Sequence, residues 1–310
     1  MDAAHAFPRP IASVPAQWRD RLEQAVLQEP LLFTQPSLAA LGDADRRTAP
    51  GAVMVGIGLC TPDALTTAMP FDLLGLLLPA EQLRRALDAT TVVALVADTH
   101  AHATGFEPSA IESRARSAVH ALLRMRARLG LHALCVVRAS RFHATTRYRE
   151  WLRTVQARAG TDVSPYLVLQ VAEVACLDDR LGGIVKLGWM VGLDRVDAIG
   201  DEAAFDRWVE PWSRRRPLFA YARAGRTLDP ARLKAPPYIE LDPDRRVTLA
   251  PGERVADKLA TAPDVEAKNG VENHLRAIGN TFARTVAPLP GPAAVRAQGI
   301  LDRLYRPPPR

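Results

Sequence analysis

The stretch SPYLVLQVAEVACLDDRLGGIVKLGW, residues 164–189, decides how the rest of the chain is read. It opens as an apolar run carrying three polar side chains and, past a turn, ends in the strand-like GGIVKLGW. Read as a helix, Tyr166, Gln170 and Glu173 fall at i, i+4 and i+7, so a phenol, a carboxamide and a carboxylate share one face. Their neighbours Leu167, Val168, Leu169, Val171, Ala172 and Val174 are apolar, which predicts a mostly buried helix. Polar groups buried there need partners, because an unpaired one costs about 2–7 kcal/mol. Ordinary internal hydrogen bonds would satisfy them, and so would a small zwitterionic ligand with an ammonium group.

Upstream, the chain alternates apolar strands with helices. AVMVGIG (52–58) is a short apolar run ending in glycine, as expected of a buried parallel strand. A helix over PFDLLGLLLPAEQLRRALDA follows, then TVVALVADTHA (91–101), a second strand ending in the polar cluster Asp98, Thr99, His100. Ser109 and Glu112 have capping-box spacing and open a long helix whose apolar positions Ile111, Ala115, Val119, Leu122 and Met125 keep the helical period. Gly130 stops it. LHALCVVRAS gives a third strand and TRYREWLRTVQARAG a basic helix. The order predicts an α/β, Rossmann-like parallel sheet with helices on both faces, plus a helical C-terminal extension. Ligands of such sheets bind at the carboxyl ends of the strands, here Gly56-Ile57-Gly58, Asp98-Thr99-His100 and Ser140-Arg141. Residues 1–50 hold one amphipathic helix, with Trp18, Leu22, Ala25 and Val26 on a face, and are expected to cap the main domain at 51–262. Residues 263–310 are expected to be a helical extension and a disordered proline-rich tail.

Composition bounds the function. The 310 residues are 48% hydrophobic and 24% charged, ordinary proportions for a globular protein with a sizeable core. No apolar stretch reaches the roughly 18 residues of a spanning helix, so no membrane partner is expected. The opening MDAAHAFPRP shows no secretory pattern, and a cytoplasmic location is expected. Cys60, Cys135 and Cys176 lack metal-ligand spacing and sit in apolar stretches, which suits reduced core thiols. His100 and His102 stand two apart without a third ligand nearby, so no metal site is expected. The formal charge of +6 comes from arginine-rich segments; solvated faces are the ordinary reading and a nucleic-acid partner the sharper one.

Taken in order, these pieces resemble the catalytic domain of the tyrosyl- and tryptophanyl-tRNA synthetase group of class I synthetases, over roughly residues 51–262. ALVADTHA looks like a family strand that lines the amino-acid pocket, and SPYLVLQVAEV is similar to its Y-x-x-x-Q-x-x-D helix with Glu173 in place of aspartate. GGIVKLGW sits where the family has a strand facing the substrate. GRTLDPARLKAPPYIEL, followed by LAPGERVADKL, resembles the mobile lysine-serine loop and its helix. The resemblance implies an amino acid held by Tyr166 and Gln170 through its ammonium and by Asp98 and Gly56 nearby. Glu173 then reads the side chain, a carboxylate suited to a hydroxyl or a cation. For Asp98 a turn-capping role stands evenly beside substrate contact. Contacts to a nucleotide or aminoacyl ester are implied for Gly58, Thr66, Thr67, Arg232 and Lys234.

Departures from the family are equally legible. CTPDALTTAMPFDLLG has no histidine where the family's H-I-G-H motif steadies the triphosphate, and ARLKAPP keeps only Arg232 and Lys234 of the second motif. Losing one such donor typically costs about 100- to 1,000-fold in rate. The resemblance thus implies ATP, with Mg, as the cofactor, while the altered motifs leave its use open. The expected function is a synthetase-like enzyme that handles an amino acid as an adenylate or aminoacyl ester, with tRNA or aminoacyl-tRNA as partner. The family's common dimerisation allows a homodimer. One alternative is a cyclodipeptide-synthase-like transferase acting on preloaded aminoacyl-tRNA. There the family's serine would fall at Gly58, leaving Cys60 or Thr61 as the nucleophile. The other is a non-catalytic paralogue that binds tRNA or an amino acid.

Overall fold

The computed structural model describes residues 9–10, 32–33, 50–59, 71–103, 107–159, 165–191, 218–224, 239–242, 245–247, 254–260, 279, 282–283 and 285–305. Its strands are β1 (Arg9–Pro10), β2 (Leu32–Phe33), β3 (Ala52–Ile57), β4 (Thr91–Val96), β5 (Leu134–Arg138), β6 (Ile184–Val191), β7 (Leu218–Ala224), β8 (Ile239–Asp242) and β9 (Arg245–Val247). The helices are α1 (Phe71–Ala86), α2 (Asp98–Ala103), α3 (Pro108–Leu129), α4 (Ala139–His143), α5 (Thr146–Gln156), α6 (Pro165–Leu181), α7 (Val255–Ala260) and α8 (Ala293–Tyr305). Among the described residues, seven strands form one sheet in the order β1-β2-β7-β6-β3-β4-β5, and β8 pairs with β9 apart from it. β7, β6, β3, β4 and β5 are mutually parallel; β1 and β2 extend the β7 edge antiparallel. The chain lays down β3, β4 and β5 in one direction and then returns to place β6 and β7 on the far side of β3, a doubly wound arrangement.

Strand side chains alternate between two cores. Val53, Val55 and Ile57 of β3, with Val92, Ala94 and Val96 of β4, pack with residues of α1, α3 and α8 on one face. Ala52, Met54, Val93, Leu95 and Ile184 pack with α4, α5 and α6 on the other. Being covered on both faces explains the near-continuous apolar reading of β3 and β4. Among the described residues, no helix is long and apolar enough to cross a membrane.

Close packing joins the end of α6 to Gly51, the residue before β3. Asp178 accepts from Ile184 N with its side chain and from Gly182 N and Gly183 N with its carbonyl, turning the chain from helix into strand. Gly182 and Gly183 take φ of 74° and 126°, left-handed values suited to glycine. Gly51 N then donates to Gly183 O at 2.9 Å, and a Cβ placed on Gly51 would lie 1.7 Å from Leu181 O. Backbone meets backbone there, with no room for a side chain.

Several local expectations change. α3 is not opened by a capping box: Glu107 is the N-cap, makes no side-chain cap bond, and Pro108 occupies the first turn. A proline's fixed φ and missing N–H suit that position, which leaves Ser109 already inside the helix. Gly130 does stop α3, at φ 66°. The Asp98-Thr99-His100 cluster belongs to α2 rather than to a strand end. Cys176 is buried, but Cys135 is exposed, because β5 is the sheet's outer strand. The tail is not wholly disordered: residues 293–305 form α8, whose Ala297, Ile300, Leu301 and Leu304 are buried at helical spacing. The amphipathic helix expected near residues 14–27 lies outside the described residues.

Gly51→Ala is expected to cost about 3 kcal/mol, since the added methyl must displace main chain. Urea denaturation of the two proteins checks this; an unchanged midpoint would mean that the junction of α6 and β3 can give way.

Candidate functional site

The site grows from the way the parallel strands end. β3 pairs with β4 over six residues, to Ile57↔Val96, and β6 pairs with β7 over seven, to Val191↔Ala224. Between β3 and β6 the ladder stops at Met54↔Lys186. The two strands at which the chain reverses direction therefore part before their carboxyl ends, where doubly wound sheets hold their ligands. Gly56 lies just past that parting, exposed within an otherwise buried strand, and a Cβ built on it would meet nothing within 4 Å. Alternation puts Gly56 on the face of Ala52 and Met54, the face covered by α6.

Helix and strand rises locate the polar residues relative to this space. α6 is pinned at Leu181 against Gly51. Five strand residues carry Gly51 to Gly56, about 16 Å, and eleven helical residues carry Leu181 to Gln170, also about 16 Å. By rise alone, half-buried Gln170 and Gly56 are each about 16 Å from that contact, and Glu173 is about one turn nearer to it. Tyr166 belongs to α6 on the same face, one further turn out; its side chain is outside the described residues.

Beneath Gln170 sits a buried polar cluster. Glu173 is 2% exposed. Its Oε1 is 2.7 Å from His143 Nε2, and its Oε2 is 3.5 Å from His100 Nε2. Tyr148 stacks on the His143 ring, with centroids 3.9 Å apart and planes 5° from parallel. Burial, then the Glu173 charge, pushes the Tyr148 phenol well above its ordinary range. Lys186 of β6 is also buried and acts on His100 electrostatically. Burial, with lesser repulsion from His143 and Lys186, carries the His100 imidazole below the usual histidine range despite the Glu173 carboxylate. The side chain expected to read a substrate is therefore engaged by two imidazoles of the chain itself.

Asp98 is engaged more fully. Oδ1 accepts from Thr99 N at 3.0 Å and Ser140 N at 2.7 Å; Oδ2 accepts from Ser140 Oγ at 2.6 Å and Arg138 Nε at 2.9 Å. Two bonds per oxygen use the carboxylate's capacity, so of the two roles weighed for Asp98 the geometry favours the structural one. Burial alone would raise its pKa, but the bonds from Ser140 and Arg138 outweigh it and hold the carboxyl below its ordinary range. Arg138 also grips Glu112 of α3 with both Nη atoms, at 3.0 and 2.7 Å, and with Arg116 holds that exposed carboxyl down to about 2.

The structure thus gathers Glu173 with His143, His100 and Tyr148, holds Asp98 among Thr99, Ser140 and Arg138, and leaves Gly56 exposed within β3. Gly58 is exposed at the end of β3. Cys60, Thr66, Thr67, Arg232 and Lys234 lie outside the described residues. His143, Tyr148 and Lys186 are missing from the sequence reading. A lysine inside the apolar run GGIVKLGW was a usable signal, as buried lysines are rare unless paired. His143, three residues beyond Ser140, was another. Among the described residues, no group of three or more His, Cys, Asp or Glu side chains is arranged to hold a metal ion.

Solved structures share this architecture across nearly the whole chain. The tryptophanyl-tRNA synthetase from Encephalitozoon cuniculi bound to tryptophan matches with a TM-score of 0.59 at 10% identity, covering 94% of this chain and 90% of that one. A tryptophanyl-tRNA synthetase homolog from Entamoeba histolytica gives 0.59 at 10% identity, covering 98% and 90%. The tyrosyl-tRNA synthetase complexed with L-tyrosine from Archaeoglobus fulgidus gives 0.53 at 12% identity, covering 93% and 96%. No family model and no curated protein matches the sequence. The chain therefore has the class I fold of the tryptophanyl- and tyrosyl-tRNA synthetases, at an identity that speaks for fold alone.

Two of the shifted groups, His100 and Asp98, predict acid sensitivity. His100 titrates lower folded than unfolded, so the unfolded chain binds more protons as pH falls below about 6.5, and stability falls with it. Asp98 is also lowered; its contribution is present above about pH 3.8 and lost as pH falls through the folded value. Urea midpoints should decline in two stages on acidification. His100→Gln should flatten the upper stage and Asp98→Asn the lower; unaltered profiles would refute these assignments.

Proposed function

We propose that this chain is a synthetase-fold protein that binds a free amino acid and handles it as an adenylate or aminoacyl ester, with tRNA as acceptor or donor. The observation that carries this reading is the open space at Gly56, at the parting of β3 and β6, on the sheet face that α6 covers. A small zwitterion suits such a place. Gln170 offers a carboxamide oxygen to the ammonium, Tyr166 one turn further out offers a phenol, and the missing Cβ of Gly56 leaves room for the ligand beside the strand. Buried groups below Gln170 then face the ligand's side chain. ATP, with Mg, would supply the activated phosphoanhydride when bound. Of the contacts expected for it, Gly58 is the described one, its backbone exposed at the end of β3.

The arrangement does the work of positioning. A rigid strand on one side and a pinned helix on the other fix the amino acid's reacting carboxylate relative to the mouth of the cleft. Such positioning is a large part of what an acyl-activating site needs, since well-oriented reactants gain about 7–11 kcal/mol over free encounter.

Amino-acid-dependent ATP–pyrophosphate exchange and tRNA charging by the whole chain test the proposal. Exchange with one amino acid would establish activation. Absence of exchange with all twenty, together with transfer from preloaded aminoacyl-tRNA, would move the chain to the cyclodipeptide-synthase-like alternative. Neither activity and no amino-acid binding would refute the proposal. Gly56→Val should separate pocket from fold. The space is open and a β-branched residue suits a strand, so stability should hold or rise by about 0.5–1 kcal/mol while amino-acid affinity drops at least about tenfold. Thermal shift with and without ligand reads both; undiminished binding would place the ligand elsewhere.

A further inference from the structure

We infer that Arg138 and Arg116 form a phosphate-binding site whose resident ligand is the carboxylate of Glu112, which an incoming phosphate group displaces. The site goes beyond the amino-acid reading above and does not rest on it. Arg138 closes β5, in a row that the ladders define as Ile57↔Val96↔Arg138. Ile57 and Val96 pack in the core shared with α1, α3 and α8, so alternation directs Arg138 to that face, opposite the one that α6 covers. Two strand spacings, about 10 Å, separate Arg138 from Ile57 along the same rim of the sheet.

The guanidinium is held from its buried side. Nε lies 2.9 Å and Nη2 2.8 Å from Oδ2 of Asp98, a buried carboxylate itself fixed by Thr99 and Ser140. Two contacts along one edge of a planar group stop it from turning. Its outer edge, Nη1 and Nη2, then meets both oxygens of Glu112, at 3.0 and 2.7 Å. Arg116, one turn further along α3, donates from Nη2 to Oε1 of the same carboxylate at 3.3 Å. A fixed fork with a second guanidinium beside it suits phosphate oxygens, for which carboxylate oxygens are a geometric match.

Glu112 is suited to leave. Its side chain is half exposed and that of Arg116 more so, whereas Asp98 is closed to solvent. Exposed ion pairs contribute little to stability, so releasing this carboxylate to water costs little. α3 itself attracts anions: over Pro108–Leu129 it carries five arginines, and Glu112 is its one acidic residue. The single carboxylate of a basic helix thus lies on the arginine that the sheet has already oriented. With Glu112 displaced, Asp98 still braces Arg138, so the exchange leaves the ends of β4 and β5 tied.

The test is calorimetry at low ionic strength on the whole chain, with inorganic phosphate in one arm and a short single-stranded RNA in the other. Glu112→Gln removes the resident anion and should tighten phosphate binding about fivefold or more. Glu150→Gln is the control. That carboxylate is comparably exposed and also paired with an arginine, but it belongs to α5 on the other face of the sheet. Its loss should change binding by less than about twofold. Adding Arg116→Ala to Glu112→Gln should remove most of the gain, and both positions are exposed enough for the variants to fold. A gain in the RNA arm assigns the phosphate to a nucleic-acid backbone, and a gain with inorganic phosphate alone assigns a free phosphate; either supports the site. No gain in either arm, an equal gain with Glu150→Gln, or a gain that survives Arg116→Ala overturns the inference and leaves the amino-acid reading intact.

Discussion

One carboxylate holds the carboxyl ends of β4 and β5 together. Asp98 opens α2 directly after β4, Ser140 stands in the first turn of α4 directly after β5, and the two meet through main chain and side chain at once. Arg138 closes the arrangement from the end of β5 and carries it across to α3 through Glu112. The consequences reach past local stability. Because α2 and α4 are tied at their starts, His100 on one and His143 on the other are held 6.1 Å apart, ring centre to ring centre. That gap admits the Glu173 carboxylate. Four donors on one buried anion thus set the spacing of the two imidazoles.

The second constraint is a departure from regularity. A parallel sheet would ordinarily continue its ladder to the strand ends, yet β3 and β6 separate after Lys186 while their outer neighbours stay paired. Space opens where the chain reverses direction, and the glycine at that point keeps it open. On the sheet face of α6, Glu173, His143, His100 and Tyr148 form a buried polar cluster. Solved structures at 10–12% identity share the architecture, so the same shape is built from largely different residues.

Much of the fold was legible because strand and helix periods are local properties. AVMVGIG, TVVALVA and LCVVR are apolar in runs too short for anything but buried strands, and the glycines at 182–183 and at 130 mark turns that the backbone indeed makes with positive φ. Glu173 was singled out because a carboxylate among valines demands a partner. The partner itself was not legible. His143 and Glu173 are 30 residues apart, and their meeting depends on the tertiary tie between Asp98 and Ser140, which no window of sequence contains. The start of α3 was misread for a related reason: a capping-box pattern competes with a proline one residue earlier, and the proline's fixed dihedral prevails. α8 escaped notice because prolines on either side of it drew attention from its buried stripe.

The contact between Gly51 and Leu181 has a consequence for how the polar face of α6 can be altered. Helix and strand are measured out from that single point, so the polar face of α6 is indexed to the sheet like marks on two rulers clamped at zero. Inserting or deleting one residue anywhere between the clamp and Gln170 would rotate the outer part of the helix by about 100° and present a different face to the cleft. Exchange at fixed positions alters that face without turning it, whereas a change of length turns all of it at once. A residue with no side chain of its own thus sets where the side chains of α6 fall against the sheet.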